Sequence, residues 1–295
     1  MTTTNAQSGI LAGVPRLARY LTFRREPGTN LRDSLTALAE AVDGDAIVAG
    51  LGASVLAELN VEIAGLRTAP ALTGSGASVP STPAALWCWL RGEDRGELVH
   101  ASRKLRAAVE PAFVLERTID AFQYGPSLDL TGYEDGTENP SGERADEVAI
   151  VSGAGAGVDG SSFVAVQQWV HDLSAFAAKT QEQRDFTIGR RLSDNEEIDD
   201  APESAHVKRT EQEGFEPPAF VLRRSMPWAN ECAEGLVFVA FGSSLDPFET
   251  QLRRMVGLDD GITDALFTFT RPVSGAYFWC PPVADGRLDL RALGL

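Results

Sequence analysis

An α+β fold, made of two units side by side with helices laid on strands in each, is the class this sequence predicts. Three observations carry the prediction. Strand-like and helix-like patterns alternate along the chain. A stretch of small residues, Ser152-Gly153-Ala154-Gly155-Ala156-Gly157-Val158-Asp159-Gly160-Ser161, interrupts them near the middle. The alternation then starts again, so the boundary is placed between residues 150 and 151, giving units 1–150 and 151–295. No sequence repeat between the two is visible.

The elements follow in order. Arg19 to Phe23 reads as a strand, and Asn30 precedes a helix whose Leu31, Leu35, Leu38 and Val42 form one stripe, ended by Asp43-Gly44. Thr68 to Ala85 is rich in Pro, Gly, Ser, Thr and Ala and is expected to be a long loop within the first unit. Leu86 to Leu90 is a buried strand, Glu97 to Val109 a helix, and Phe113 to Phe122 a strand leading into a polar loop. In the second unit Phe163 to Val170 is a strand, Asp172 caps a helix running towards Ile188, and Phe220 to Trp228 is a further strand.

Composition excludes several function classes. The chain has 295 residues, of which 43% are hydrophobic, enough for a sizeable core. No apolar run approaches the ~18 residues of a membrane span, and Met1 to Gln7 lacks a basic region followed by an apolar one, so a cytoplasmic location is expected. A formal charge of -16 argues against nucleic acid or an anionic membrane as partner, because both need a basic footprint. Acidic runs such as Asn195 to Asp200 are expected on the solvated surface. Cys88, Cys232 and Cys280 lack zinc-site or covalent-haem spacing. They read as reduced and mostly buried, with Cys88 and Cys280 in apolar surroundings.

The segment Gly132-Tyr133-Glu134-Asp135-Gly136-Thr137-Glu138-Asn139-Pro140 holds a carboxylate between glycines in a loop too short to be a helix. By itself it could be a surface turn in which Asp135 bonds its own backbone. Of the three histidines, His100 reads as a surface residue, His171 as a satisfied structural one, and His206 as a residue following the acidic loop. Period-2 alternation over Phe220 to Trp228 puts Arg223 and Ser225 on one face and Arg224 on the other. A guanidinium and a hydroxyl on one face of an apolar strand imply a buried anion or a ligand cavity, unless the strand is a wet edge.

Taken together and in order, these motifs resemble the dye-decolourising-type haem peroxidases, nearest to the bacterial group called class B. The resemblance rests on the 132–140 loop, Ile188-Gly189-Arg190 with the acidic residues after it, His206, and Leu222-Arg223-Arg224-Ser225-Met226-Pro227. It continues in Asp246-Pro247-Phe248-Glu249 and in Phe267 to Gly275, with Gln7 to Leu11 and Pro80 to Pro83 extending it towards the N-terminus.

The resemblance implies two ferredoxin-like halves, each an antiparallel sheet with helices packed on it, the second providing most of a haem pocket. One non-covalent haem b per chain is expected, with His206 as the proximal ligand of the haem iron and Asp135 and Arg223 as the distal pair. Ser225 matches a distal polar residue and Arg190 a haem-propionate partner. Asp264 is chosen as the carboxylate orienting His206. Asp246 is the competitor, but Asp246-Pro247-Phe248-Glu249 has the form of a helix capping box that occupies it otherwise. Cys280 is kept as the alternative, thiolate ligand.

The implied activity is reduction of hydrogen peroxide through a ferryl intermediate, followed by oxidation of dyes, phenolics or other one-electron donors. A carboxylate behind the proximal imidazole enriches the iron in electrons. Asp135 relays a proton between the peroxide oxygens while Arg223 stabilises the charge on the leaving hydroxide. An aspartate base, with a reference pKa of ~3.9, gives an acidic optimum. Bulky donors are expected to be oxidised at the surface, with Tyr133, Trp169, Trp228, Tyr277 and Trp279 as relay candidates that could equally be core residues. The acidic surface favours cationic donors. A homo-oligomer is expected, and from the ending Arg291 to Leu295, soon after the last core segment, no nanocompartment cargo tail is expected. The alternative function is haem binding, trafficking or iron release with incidental peroxidase activity.

Overall fold

The computed structural model describes residues 5–295; Met1 to Thr4, part of the Met1 to Gln7 segment considered above, lie outside the described residues. The first four strands are β1 (Leu17–Arg25), β2 (Ile47–Leu51), β3 (Leu86–Gly92) and β4 (Phe113–Phe122). Helix α1 (Leu31–Ala41) connects β1 to β2, and α2 (Arg95–Val109) connects β3 to β4. Asn30 caps α1 and Asp94 caps α2 by accepting from the amides of Asp33 and Glu97, each satisfying an orphan first-turn donor. The strands pair antiparallel in the order β2-β3-β1-β4, the ferredoxin-like arrangement. Helix α3 (Glu143–Ala149) then leads out of the polar loop.

The second set repeats this plan with an interruption. Its strands are β5 (Ser162–His171), β6 (Leu222–Arg223), β7 (Met226–Ala229), β8 (Glu234–Gly242), β9 (Thr270–Pro272) and β10 (Ala276–Cys280). β10, β5, β8 and the broken β6/β7 strand lie side by side, again antiparallel, with β9 extending the β10 edge along β5. Helices α4 (Leu173–Ala177), α5 (Gln181–Ile188) and α6 (His206–Thr210) fill the first crossover, and α7 (Asp246–Met255) the second.

Single residue pairs, Trp279 with Leu51 and Ala121 with Trp228, join the two sheets at both ends. Because β5 also pairs with β8, eight strand positions close into a ring. Alternation along each strand sorts the core accordingly. Tyr20, Trp87, Trp89, Phe241 and Phe278 fill the ring's interior, whereas Leu21, Leu86, Leu90 and Trp279 face the helices. The interior rings pack with centroids 6.1 to 6.4 Å apart, stacked except for Trp87 and Phe241, which are tilted by 55°. Trp87→Ala is expected to cost about 3–5 kcal/mol by leaving a cavity there, measurable as a lowered denaturant midpoint. A loss under about 1 kcal/mol contradicts this packing.

Three local expectations are corrected. The helix from Asp172 towards Ile188 is two helices. Asp172 caps α4, but Thr180 and Gln183 form a capping box that starts α5 afresh. Asp246 does not cap α7. Leu245 holds the N-cap position, with Pro247 in the first turn, and the Asp246 carboxylate is bound instead by Arg67 at 2.7 Å. The 220–228 strand is broken after Arg223 and resumes at Met226, leaving Arg224 and Ser225 between the two pieces. Among the described residues no helix is long and apolar enough to cross a membrane.

Candidate active site

The polar loop is a tight excursion whose backbone explains its glycines. Asp129 N–H donates to the Tyr133 carbonyl (2.9 Å), and Asp135 N–H donates to the Ser127 carbonyl (3.0 Å), which pinches the chain. Gly132 and Gly136 have φ of +90° and +81°, in the left-handed region that side chains avoid. Asp135 therefore stands on a shaped loop, and its Oδ1 lies 3.5 Å from Arg223 Nη1, with both side chains about a quarter exposed.

Loop and strand are also tied through the main chain. Arg223 N–H donates to Asn139 Oδ1 at 2.8 Å, and Asn139 Nδ2 donates to the Arg223 carbonyl at 3.0 Å. Arg224 takes the opposite side, as alternation requires. Its guanidinium is buried, donates to the carbonyls of Ile10 and Leu11, and has its pKa lowered to about 10 by burial and by Arg91. Ser225 meets the pair from one side only. Its Oγ accepts from Val239 N–H at 3.4 Å, and it lines a side cleft of about 350 Å³, which Asp135 and Arg223 also line, but not the main cavity. It lies in the break between β6 and β7.

The main cavity, about 420 Å³, lies between the helix-facing side of β5, β8 and β6 and helices α6 and α7. Phe238, Phe248, Leu252, Met255, Leu266 and Phe269 give it apolar walls. His206, the first residue of α6, sits in one wall. Its Nδ1 is 2.7 Å from Asp264 Oδ2, and the Asp264 side chain is completely buried. Asp264 Oδ1 also accepts from Leu266 N–H (2.8 Å), so the same carboxylate starts a short helical turn and holds the imidazole. Among the described residues nothing hydrogen-bonds His206 Nε2.

Gly189 explains how Arg190 reaches this wall. It ends α5 with φ of +98°, and a Cβ there would come within 3.0 Å of Val207. Glycine lets α5 end against the start of α6. Arg190 lines the cavity, with Nη2 2.8 Å from Glu138 and 3.5 Å from Glu197.

His171 is structural, as expected, although it too lines the cavity. Its Nδ1 lies 2.6 Å from Thr270 Oγ1 and its Nε2 3.0 Å from Asp129 Oδ2. Burial pushes the Asp129 carboxyl up, but hydrogen bonding and charge from His171, with Thr131, outweigh it and hold the group below its ordinary range. A carboxyl depressed by folding contributes stability above the unfolded pKa of ~3.9, and that contribution is lost as pH falls through the folded value. Asp129→Asn is therefore expected to lower the urea midpoint at pH ~7, with the difference from wild type shrinking below pH ~4. A difference that is constant with pH contradicts the linkage.

Cys280 is not available to the cavity. It is fully buried inside the strand ring, where burial raises its thiol pKa, so the thiolate alternative is set aside. Cys88 is buried as expected, whereas Cys232 is exposed. All five relay candidates are buried; of these Tyr133 and Trp169 line the cavity, and Tyr133 hydrogen-bonds Asp185. Sequence reasoning missed the Asn139 bonds to Arg223, the Glu138–Arg190 ion pair and the Asp129–His171 pair. Asn139-Pro140 was legible only as a turn. Among the described residues no group of three or more His, Cys, Asp and Glu could hold a bare metal ion.

Two ferredoxin-like sheets carry an apolar cavity with two carboxylate-paired imidazoles, of which His206 alone has an uncommitted nitrogen among the described residues, and with an Asp–Arg pair, the site of a ligand-holding α+β protein. The chain belongs to the Dyp-type peroxidase family: the family model "Dyp-type peroxidase, C-terminal" matches residues 127–285, more than half of it. It is 29% identical over 220 residues to a dye-decolorizing peroxidase of Mycolicibacterium paratuberculosis, a match covering 72% of this chain and 62% of that relative. The chain thus spans less than two thirds of that relative's length. Among solved structures, the dye-decolorizing protein from V. cholerae superposes with a TM-score of 0.84 at 26% identity, covering 97% of this chain and 98% of that one. A Rhodococcus jostii DypB variant in complex with heme superposes with a TM-score of 0.83 at 24% identity, over 92% of this chain and 95% of that one.

Proposed function

We propose that this protein is a haem b peroxidase that reduces hydrogen peroxide and then oxidises dyes, phenolics or other one-electron donors. The observation that carries this reading is the pairing of Asp135 with Arg223 at 3.5 Å, beside a cavity that also holds the Asp264-backed His206.

The cavity's residues fit haem. Among the described residues His206 is the cavity imidazole with an uncommitted nitrogen, both nitrogens of His171 being engaged, and one such nitrogen suits a metal already held in a macrocycle better than a bare ion. The apolar walls match the faces of a porphyrin, and Arg190 offers a cation for a propionate, in exchange with Glu138 and Glu197. His206 holds the iron through Nε2, because Asp264 engages Nδ1 and thereby fixes the tautomer and ring direction. In this reading residues 151–295 supply His206, Arg190, Arg223 and Asp264, while residues 1–150 end in the Asp135 loop.

Bound haem supplies the electrons that split the O–O bond and stores the resulting oxidising equivalents for later donors. The remaining work belongs to the chain. An Asp135 carboxylate oxygen takes a proton from one peroxide oxygen and returns it to the other. Arg223 stabilises the negative charge on the departing oxygen and, being permanently charged, cannot act as the base. The Asp–Arg pair favours the enzyme over haem storage or trafficking, which needs His206 and Arg190 alone.

Haem titration into the purified protein, followed by donor oxidation across pH, tests the proposal. A Soret band saturating at one haem per chain and lost in His206→Ala, with an acidic activity optimum, is the expected result. No Soret band after haem supplementation, or an optimum well above neutrality, sinks it.

A further inference from the structure

We propose that Asn139 is a positioning residue that sets the Asp135–Arg223 separation by acting as a one-residue strand on the edge of β6. The inference rests on the reading of Asp135 and Arg223 as the peroxide-handling pair.

β6 is the last strand of its sheet, so one side of it has no neighbouring strand among the described residues. Its Leu222 and Arg223 pair with Phe241 and Ala240, and Arg224 N–H donates to the Val239 carbonyl. The N–H and C=O of Arg223 point the other way, to the sheet edge, where the carbonyl also accepts from Arg224 Nη1 at 3.0 Å. A carboxamide carries one acceptor and one donor arrangement matching a peptide group. Asn139 presents both to Arg223, at 2.8 and 3.0 Å. The side chain thereby replaces the missing strand for a single residue.

What it ties together makes the contact more than an edge cap. Asn139 lies four positions after Asp135, in the same loop. The loop's other side-chain hydrogen bonds, Tyr133 with Asp185 and Gln181, Glu134 and Thr137 with Asn195, and Glu138 with Arg190, reach residues 181–195 rather than the arginine strand. Asn139 couples the carboxylate's loop to the guanidinium's backbone. Gly136 shows how closely the coupling is built: a Cβ there would come within 2.7 Å of Asn139 Nδ2.

The chemistry of the clamp supplies its own test. In Asn139→Asp the ionised side chain still accepts from Arg223 N–H but sets an acceptor against the Arg223 carbonyl. Once protonated, the carboxylic acid has the donor and acceptor pattern of the amide. The charged groups sharing the cleft with residue 139 are Glu134, Asp135, Arg223 and Arg224, with the Glu138–Arg190 pair adjacent in the loop.

Haem-loaded wild type, Asn139→Ala and Asn139→Asp are mixed with hydrogen peroxide in stopped flow from acidic to neutral pH, after haem uptake is matched by Soret titration. Asn139→Ala should slow the reaction on the order of 10²-fold at every pH, the scale of an ångström-level misplacement. Asn139→Asp should be similarly slow near neutrality, but its rate relative to wild type should recover as pH falls through the carboxyl titration near ~4. Independently of haem, amide exchange at Arg223 should lose protection in the Ala variant and keep it in the Asp variant.

Variants as fast as a reactive wild type overturn the role of Asn139 alone, as does an Asp defect that does not change with pH. A wild type that binds haem yet ignores peroxide overturns the functional reading, and with it the role given to Asn139. Should the Ala variant not fold, the pH ratio of the Asp variant decides the matter.

Discussion

Arg223→Leu is expected to slow the reaction of the haem-loaded protein with hydrogen peroxide by about 10²- to 10³-fold, the loss typical of removing a preorganised charge stabiliser. Asp135→Asn should cost about 10-fold, below the ~10²–10⁴ of an irreplaceable acid–base group, because water can carry part of the proton transfer. The asymmetry follows from the chemistry of the pair. A proton can travel through solvent, whereas a fixed positive charge beside the cavity has no substitute, Arg224 being turned away to the carbonyls of Ile10 and Leu11. The clamp on Arg223 uses its backbone, so the leucine variant should keep both Asn139 bonds and the local fold. Stopped-flow rates for the two variants check this order, and a fast Arg223→Leu variant contradicts it.

The second large effect lies on the opposite wall. Asp264→Asn is expected to lower haem-iron affinity or activity about 10- to 100-fold, the usual loss when the partner behind a ligating histidine is removed. The iron reduction potential should rise, because an amide gives the imidazole less electron density than a carboxylate does. His206→Ala acts differently. It abolishes iron ligation and leaves the fully buried Asp264 carboxylate with the Leu266 N–H as its remaining partner. Removing one partner of a buried pair costs about 1–3 kcal/mol, so the haem-free alanine variant should also unfold at lower denaturant concentration. Spectroelectrochemistry and denaturant titration separate the two. An unchanged potential in Asp264→Asn contradicts the orienting role.

Elements governed by local chemistry were legible in the sequence. The Asn30 and Asp172 caps, the Leu31-Leu35-Leu38 stripe, and the positive-φ glycines of the Asp135 loop each act within one turn of the chain. Of the two carboxylates weighed, Asp264 is the one beside His206, with its Oδ2 2.7 Å from Nδ1. Asp246 is occupied by Arg67, 179 residues away, rather than by a helix cap. Features set by long-range pairing were not legible. The 220–228 strand breaks after Arg223, where the Val239 carbonyl and N–H of β8 bond Arg224 N–H and Ser225 Oγ, so Ser225 reaches the side cleft but not the main cavity. The Asn139 clamp spans 84 residues, and nothing in Asn139-Pro140 distinguishes a side chain that closes a turn from one that completes a sheet edge.

The central claim is that the Asp135–Arg223 pair serves a haem held by His206 in splitting peroxide. One equivalent of hydrogen peroxide added to the haem-loaded protein, with the absorption spectrum read before, immediately after, and again after a one-electron donor is supplied, tests it most directly. The expected result is a rapid change of the Soret band that reverses when two electron equivalents of donor have been consumed. A spectrum that does not respond to peroxide, or one that only bleaches with loss of iron, contradicts the claim and favours haem storage or iron release.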